Sequence, residues 1–300
     1  MAPRPLALIE APSNLGLAPP EAGREPGVRH MARVLRELGL HERLGAVDGG
    51  VVVAPPYRME RDSATGVRNV RAIADYSVTL ARAVGVQLDG GRFPVVIGGD
   101  CSILLGNLLA LQRRGRHGLV FLDGHHDLQT PAVSRTGGAA GMDLALAVGI
   151  GPAILATLGG SLPLADPEDV ALLGVRDDPA WYTGDDVERA RRAMRVMMLD
   201  DLRQVGMPEA ARLVVEQMSR PDLDGAWLHV DVDVLDDAIM PAVDSRQPGG
   251  LSYAELAALV RPMIGSGRIV GMHFTIYDPD RDPALDSGRR LIDGIVSLFR

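Results

Sequence analysis

The chain has 300 residues, 46% apolar and 23% charged, enough to bury a large core in one domain or two. Lysine and arginine number 31 against 39 acids, a formal net charge of −8, which gives no support to a nucleic-acid or membrane-surface partner. A single cysteine, Cys101, excludes an internal disulfide and fits a reducing cytoplasm. The apolar part of the opening MAPRPLALIE is too short for a signal peptide, and no run reaches the roughly 18 to 20 apolar residues of a membrane span.

Leu6 to Ile9 reads as a first strand, and the Pro- and Gly-rich stretch from Asn14 to Gly27 as a loop. Val28 to Leu38 has helical spacing with Gly39 as its stop. Val51 to Ala54 reads as a strand cut off by Pro55-Pro56, and Asn69 to Leu88 as one long helix. Pro94 to Ile97 is an apolar strand; Gly98-Gly99-Asp100-Cys101-Ser102 forms a turn, and Ile103 to Leu111 a helix. The run Leu119 to Leu122 is a buried strand, with further strands at Val170 to Val175, Val196 to Leu199, Ala226 to Val230 and Ile269 to Phe274. Helices are expected at Met207 to Met218, after the capping box Ser252-Tyr253-Ala254-Glu255 through Ile264, and from Gly288 to Phe299. Strands and helices alternate about eight times. That argues for one α/β domain over residues 1–300 with a mostly parallel sheet, three-layered in preference to a closed (β/α)8 barrel. No internal repeat or linker stands out.

The stretch Asp123-Gly124-His125-His126-Asp127 follows one buried run directly. In an extended chain residues two apart share a side, so Asp123, His125 and Asp127 can converge while His126 points away. Asp231 and Asp233 repeat the device after the strand at Ala226 to Val230. In parallel α/β folds ligands sit beyond the carboxyl ends of strands, where these acids lie. Oxygen-rich ligation with one imidazole favours manganese or another transition metal. Five such ligands suit two divalent cations about 3.5 Å apart, the arrangement of metal-assisted hydrolysis. An acidic loop surface or a structural calcium site is the blander reading; two clusters, each straight after a buried strand, weigh against it, and calcium seldom takes imidazole. Cys101 is read as a sixth ligand, because a helix start and a metal both lower a thiol pKa; a small buried hydrophobe or a thiol nucleophile is the alternative.

Three motifs, Gly98-Gly99-Asp100-Cys101-Ser102, Asp123-Gly124-His125-His126-Asp127 and Asp231-Val232-Asp233-Val234-Leu235-Asp236, followed by Pro241 and Gly249-Gly250, resemble those of the arginase, or ureohydrolase, family. The resemblance implies a three-layer α/β/α fold with an eight-stranded sheet, a dinuclear manganese centre, and hydrolysis of a guanidino or amidino C–N bond in a small linear amidine by a bridging hydroxide. Carried over by motif, Asp123 and Asp231 would bridge, Cys101 and Asp127 would complete one ion, and His125 and Asp233 the other. Asp127 would also orient the hydroxide. Family members are often homo-oligomers, although no interface is legible in this chain.

The departures are as informative. Most members have His at Cys101; a thiolate adds a negative charge and turns metal preference toward softer ions. The stretch Thr136 to Gly141 lacks the His that serves arginases proper as proton shuttle, leaving His126 as the nearest imidazole, which could act through a water or a turn of the backbone but is expected to pack or be solvated. The guanidinium-binding Glu is missing from the stretch His273 to Pro279, with Asp244 as a substitute. Gln129, Thr136 and Asp178 fall near positions that relatives use for the substrate tail. A branch hydrolysing Nω-hydroxy-L-arginine is similar in having Cys for His and no shuttle. An N-hydroxyguanidine is less basic than a guanidinium and needs less proton delivery to its leaving group. Arginine-, agmatine- and formiminoglutamate-like substrates stay open beside it. So does a catalytically silent binding protein, which five intact ligand positions oppose.

Overall fold

A computed structural model describes residues 4–160 and 163–300. Eight strands form one sheet: β1 Leu6–Glu10, β2 Val47–Val51, β3 Phe93–Ile97, β4 Gly118–Leu122, β5 Val170–Leu173, β6 Arg195–Met197, β7 Ala226–Asp231 and β8 Ile269–Thr275. Their order is β2-β1-β3-β8-β7-β4-β5-β6, and every pairing is parallel. The sheet is open, with β2 and β6 at its edges, so the three-layer expectation holds and the barrel does not. Helices at Val70–Asp89 and Ile103–Gln112 cover one face; those at Met31–Glu37, Met207–Met218, Tyr253–Gly265 and Asp286–Ser297 cover the other.

Strand alternation explains the two cores. Leu119, Phe121 and Trp227 pack on one face, Val120, Leu122, Leu228 and Val230 on the other. A strand covered on both sides has no polar side, which is why β3 and β4 read as continuous apolar runs. Crossover connections between parallel strands bring all eight carboxyl ends to one edge of the sheet.

The interior elements match the sequence reading to within two residues, including the capping box, where Ser252 and Glu255 exchange hydrogen bonds. The edges do not. The strand expected at Val51 to Ala54 is β2, Val47–Val51, ending where the prediction began. It is mostly exposed, so its Asp-Gly-Gly centre meets no demand for apolar residues. Gly49 is needed there because a Cβ would lie 2.8 Å from Leu8 O. At the other edge β6 stops at Met197, and Leu199, expected in the strand, opens a helix through Val205, with the Asp201 carboxylate accepting from Met198 N. β5 ends at Leu173 rather than Val175 because Gly174 turns the chain at φ +87°. Among the described residues no helix is long and apolar enough to cross a membrane.

Candidate metal centre and cleft

The carboxyl ends of β3, β4 and β7 build the site. After β3 the chain makes the turn Gly98 to Ser102. A Cβ on Gly99 would sit 1.8 Å from Ser13 O, so only glycine lets the loop after β1 pass this close. Ser13 Oγ donates to Asp100 Oδ2 at 2.6 Å, and Ser102 N donates to Asp100 Oδ1 at 2.9 Å. With Asp100 pinned, Cys101 points its thiol at the neighbouring strand ends: Sγ is 2.9 Å from Asp231 Oδ2 and 3.1 Å from Thr275 Oγ1.

After β4, Asp123 Oδ1 accepts from His125 N at 2.7 Å, and the backbone reaches the left-handed region at Asp127, φ +48°. After β7, Asp231 Oδ1 accepts from Asp233 N at 2.8 Å, and Asp233 Oδ1 from Gly124 N at 3.2 Å. That last bond ties the two acidic loops together. Arg176 ties them again, its backbone N donating to Gly124 O at 3.0 Å and its Nη2 to the carbonyl of Asp233 at 2.6 Å.

All six residues expected as ligands meet here. Ligand atoms of Asp123, His125 and Asp233 lie within 4.8 Å of one another, as do those of Cys101, Asp123 and Asp231, and Cys101 also groups with Asp127. Asp123 and Cys101 link the groups into one centre. Nδ1 of His125 is the inward nitrogen, 3.0 Å from Asp233 Oδ2, while Nε2 is 3.1 Å from Ser245 Oγ. Two residues in these groups escaped the sequence reading: His229 beside Cys101, Asp123 and Asp231, and Asp143 beside Cys101 and Asp127. His229 carried the same two-residue spacing to Asp231 that revealed Asp233. Asp143 carried no signal, because a long loop delivers it.

Buried acids in such number are costly unless compensated. Burial pushes Asp127, Asp143 and Asp231 well above the carboxylate range, with neighbouring carboxylates adding to it. Burial raises Asp233 to about 6 against the pull of His125. Burial, reinforced by Asp231, raises the Cys101 thiol. Burial alone would lower His125, but Asp233 and Asp123 outweigh it and hold the imidazole protonated. Both Asp143 carboxylate oxygens and Asp123 Oδ2 are buried without a hydrogen-bond partner. Unpartnered buried carboxylate oxygens facing a thiol and an imidazole fit divalent metal cations.

The centre forms the floor of a cleft of about 620 Å³, whose walls include Gln129, Thr136 and Asp244. Two expectations do not hold. Asp178 is exposed and absent from the cleft lining; its Oδ1 accepts from Ala180 N at 2.9 Å. His126, the candidate proton carrier, is fully buried outside the cleft lining, its Nδ1 2.5 Å from Asp177 Oδ1 and its ring 5.0 Å from that of Tyr182. It points away from the clustered acids and packs in the interior.

Comparison with known proteins agrees. The family model described as arginase family matches residues 6–296. The chain belongs to the arginase family. It is 29% identical to an arginase of Bacillus caldovelox, over 99% of this chain and 97% of that protein, and 29% identical to an arginase of Staphylococcus aureus strain COL, over 97% and 94%. The crystal structure of the Bacillus caldovelox arginase superposes with a TM-score of 0.86 at 28% identity, covering 99% of this chain and 98% of that one.

Proposed function

We propose that the protein is a dinuclear metal-dependent amidinohydrolase that cleaves a guanidino or amidino C–N bond in a small linear amidine. The observation carrying this is the meeting of Cys101, Asp123, His125, Asp127, Asp231 and Asp233 on the floor of one cleft. Asp123 and Asp231 would be shared by two cations, manganese in this reading, with Cys101 and Asp127 completing one and His125 and Asp233 the other. Such a pair supplies Lewis acidity that makes water a nucleophile at neutral pH.

The remaining roles belong to side chains. Asp127 reaches the cleft from a left-handed turn and accepts a hydrogen bond from the attacking water, which orients it toward the amidine carbon. Asp244 faces the cleft and pairs with the amidinium, taking the place of the missing Glu. Gln129 and Thr136 bind the polar tail. The wall at Ala140 offers no imidazole to protonate the departing nitrogen, and we read this as favouring an N-hydroxyguanidine, less basic than a guanidinium, over arginine.

A turnover panel with manganese on arginine, N-hydroxyarginine, agmatine and formiminoglutamate tests the assignment. Release of hydroxyurea from N-hydroxyarginine, exceeding urea from arginine, is expected. No release of urea, hydroxyurea or formamide from any of the four overturns it.

A further inference from the structure

Behind the centre lies a chain of three buried rings that no role above employs. Trp227 and His229 alternate along β7 on the face that also carries Asp231, and His229 pairs in register with His273 on β8. Trp227 is opposite Gly271, where a Cβ would lie 2.3 Å from the indole ring, so glycine leaves room for the indole beside His273. Trp227 Nε1 is 2.6 Å from His273 Nδ1, and His273 Nε2 is 2.5 Å from His229 Nδ1. His229 Nε2 then faces Asp123 Oδ2 across 3.5 Å, and both atoms are buried without a hydrogen-bond partner. Phe121 stacks on His229 at 4.1 Å and 14°, fixing its plane. Trp227, His229 and His273 are fully buried.

An indole nitrogen can only donate. His273 Nδ1 must therefore accept, so its proton sits on Nε2 and is donated to His229 Nδ1. His229 in turn must carry its proton on Nε2. Any other arrangement sets two N–H groups against each other at hydrogen-bond distance inside the core, with no solvent to relieve them. One donor-only side chain thus dictates the tautomer of two imidazoles.

We propose that Trp227, acting through His273, locks His229 as an Nε2–H donor to Asp123, which makes His229 a positioning residue for the shared carboxylate and not a metal ligand. The proposal rests on the metallohydrolase reading for the role of Asp123; the lock itself does not. A protonated nitrogen has no lone pair to give a cation, so the proximity of His229 to Cys101 and Asp231 does not add a ligand. Directed at the unpartnered Asp123 Oδ2, that N–H would instead hold the carboxylate plane.

Long-range ¹H–¹⁵N spectra of ¹⁵N-histidine protein, metal-free and then loaded with zinc, read the tautomers directly. The proposal predicts pyrrole-type Nε2 and pyridine-type Nδ1 signals for both His229 and His273, unchanged by zinc, and mixed tautomers in Trp227→Phe. A pyridine-type His229 Nε2, or one that shifts as a ligand on zinc addition, overturns it. Manganese titration calorimetry then separates positioning from packing. His229→Leu should weaken binding about 10- to 100-fold, while His229→Gln, whose amide donates from a similar place, should recover most of it; equal affinities for Leu and Gln variants overturn the positioning role. Wild-type protein that binds no manganese while keeping the predicted tautomers overturns the metallohydrolase reading and not the lock.

Discussion

Cys101 Sγ lies 2.9 Å from Asp231 Oδ2, although Cys101 follows β3 and Asp231 ends β7, strands separated in the sheet by β8. The intervening strand ends on Thr275, whose hydroxyl also touches the thiol at 3.1 Å. Without a cation the thiol donates to the carboxylate; in the proposed centre both residues would be ligands and the thiol would hold no proton. Cys101→Ser and Cys101→His should therefore change metal preference before they change folding. In competition between zinc and manganese both variants should lose zinc preference relative to wild type. Metal-free stability of the Ser variant should change by less than about 1.5 kcal/mol, since the swap nearly conserves volume and the hydroxyl inherits the polar partners. Unaltered preference in both variants removes Cys101 from the ligand set.

The buried acids give the metal-free protein a defined pH response. Burial raises Asp127, Asp143 and Asp231 well above the carboxylate range and Asp233 to about 6. In the unfolded chain these groups titrate near ~3.9. An acid with a higher pKa in the folded state binds protons more tightly there, so its favourable contribution is present at low pH. It is lost as pH climbs from about 4 through 6 and beyond. Cations take over the compensation that protons provided. The rise in Tm on adding manganese should be small at pH 5 and grow toward pH 8, with protons released on binding. A pH-independent rise in scanning calorimetry contradicts this.

Position in the sheet decided what could be read from sequence. β3, β4, β7 and β8 are covered on both faces and are mostly apolar, and the spaced acids at the ends of β4 and β7 announced the centre. β2 and β6 are edge strands under weaker demand, and their bounds were displaced. Asp143 was invisible because nothing local connects it to Cys101 or Asp127. Asp178 misled through its neighbour: Asp177 turns inward to His126 and Tyr182, which leaves Asp178 outside.

Gly99 tests how the turn aims Cys101. Gly99→Ala forces a methyl toward Ser13 O, where the space is 1.8 Å, and should cost about 1 to 3 kcal/mol in denaturant melts. Because the strain falls beside Asp100, manganese affinity should drop along with stability. Wild-type behaviour in both measurements contradicts the account of the turn.

Asp244 separates substrate binding from metal binding. It lines the cleft yet belongs to none of the ligand groups. Losing a hydrogen bond to a charged partner costs about 1.5 to 3 kcal/mol, so Asp244→Asn should lower kcat/KM on a guanidino substrate roughly 10- to 100-fold, mainly through KM. Manganese content should stay at the wild-type value. A fall in manganese content places Asp244 in the metal centre instead.

Metal content tests the central claim most directly. Purified protein loaded with manganese and freed of excess should carry close to two ions per chain by elemental analysis, and Asp123→Asn and Asp231→Asn should each lose both. Wild-type protein that retains no manganese, zinc, iron or cobalt, or an Asp123→Asn variant with full content, would contradict a centre built on these carboxylates.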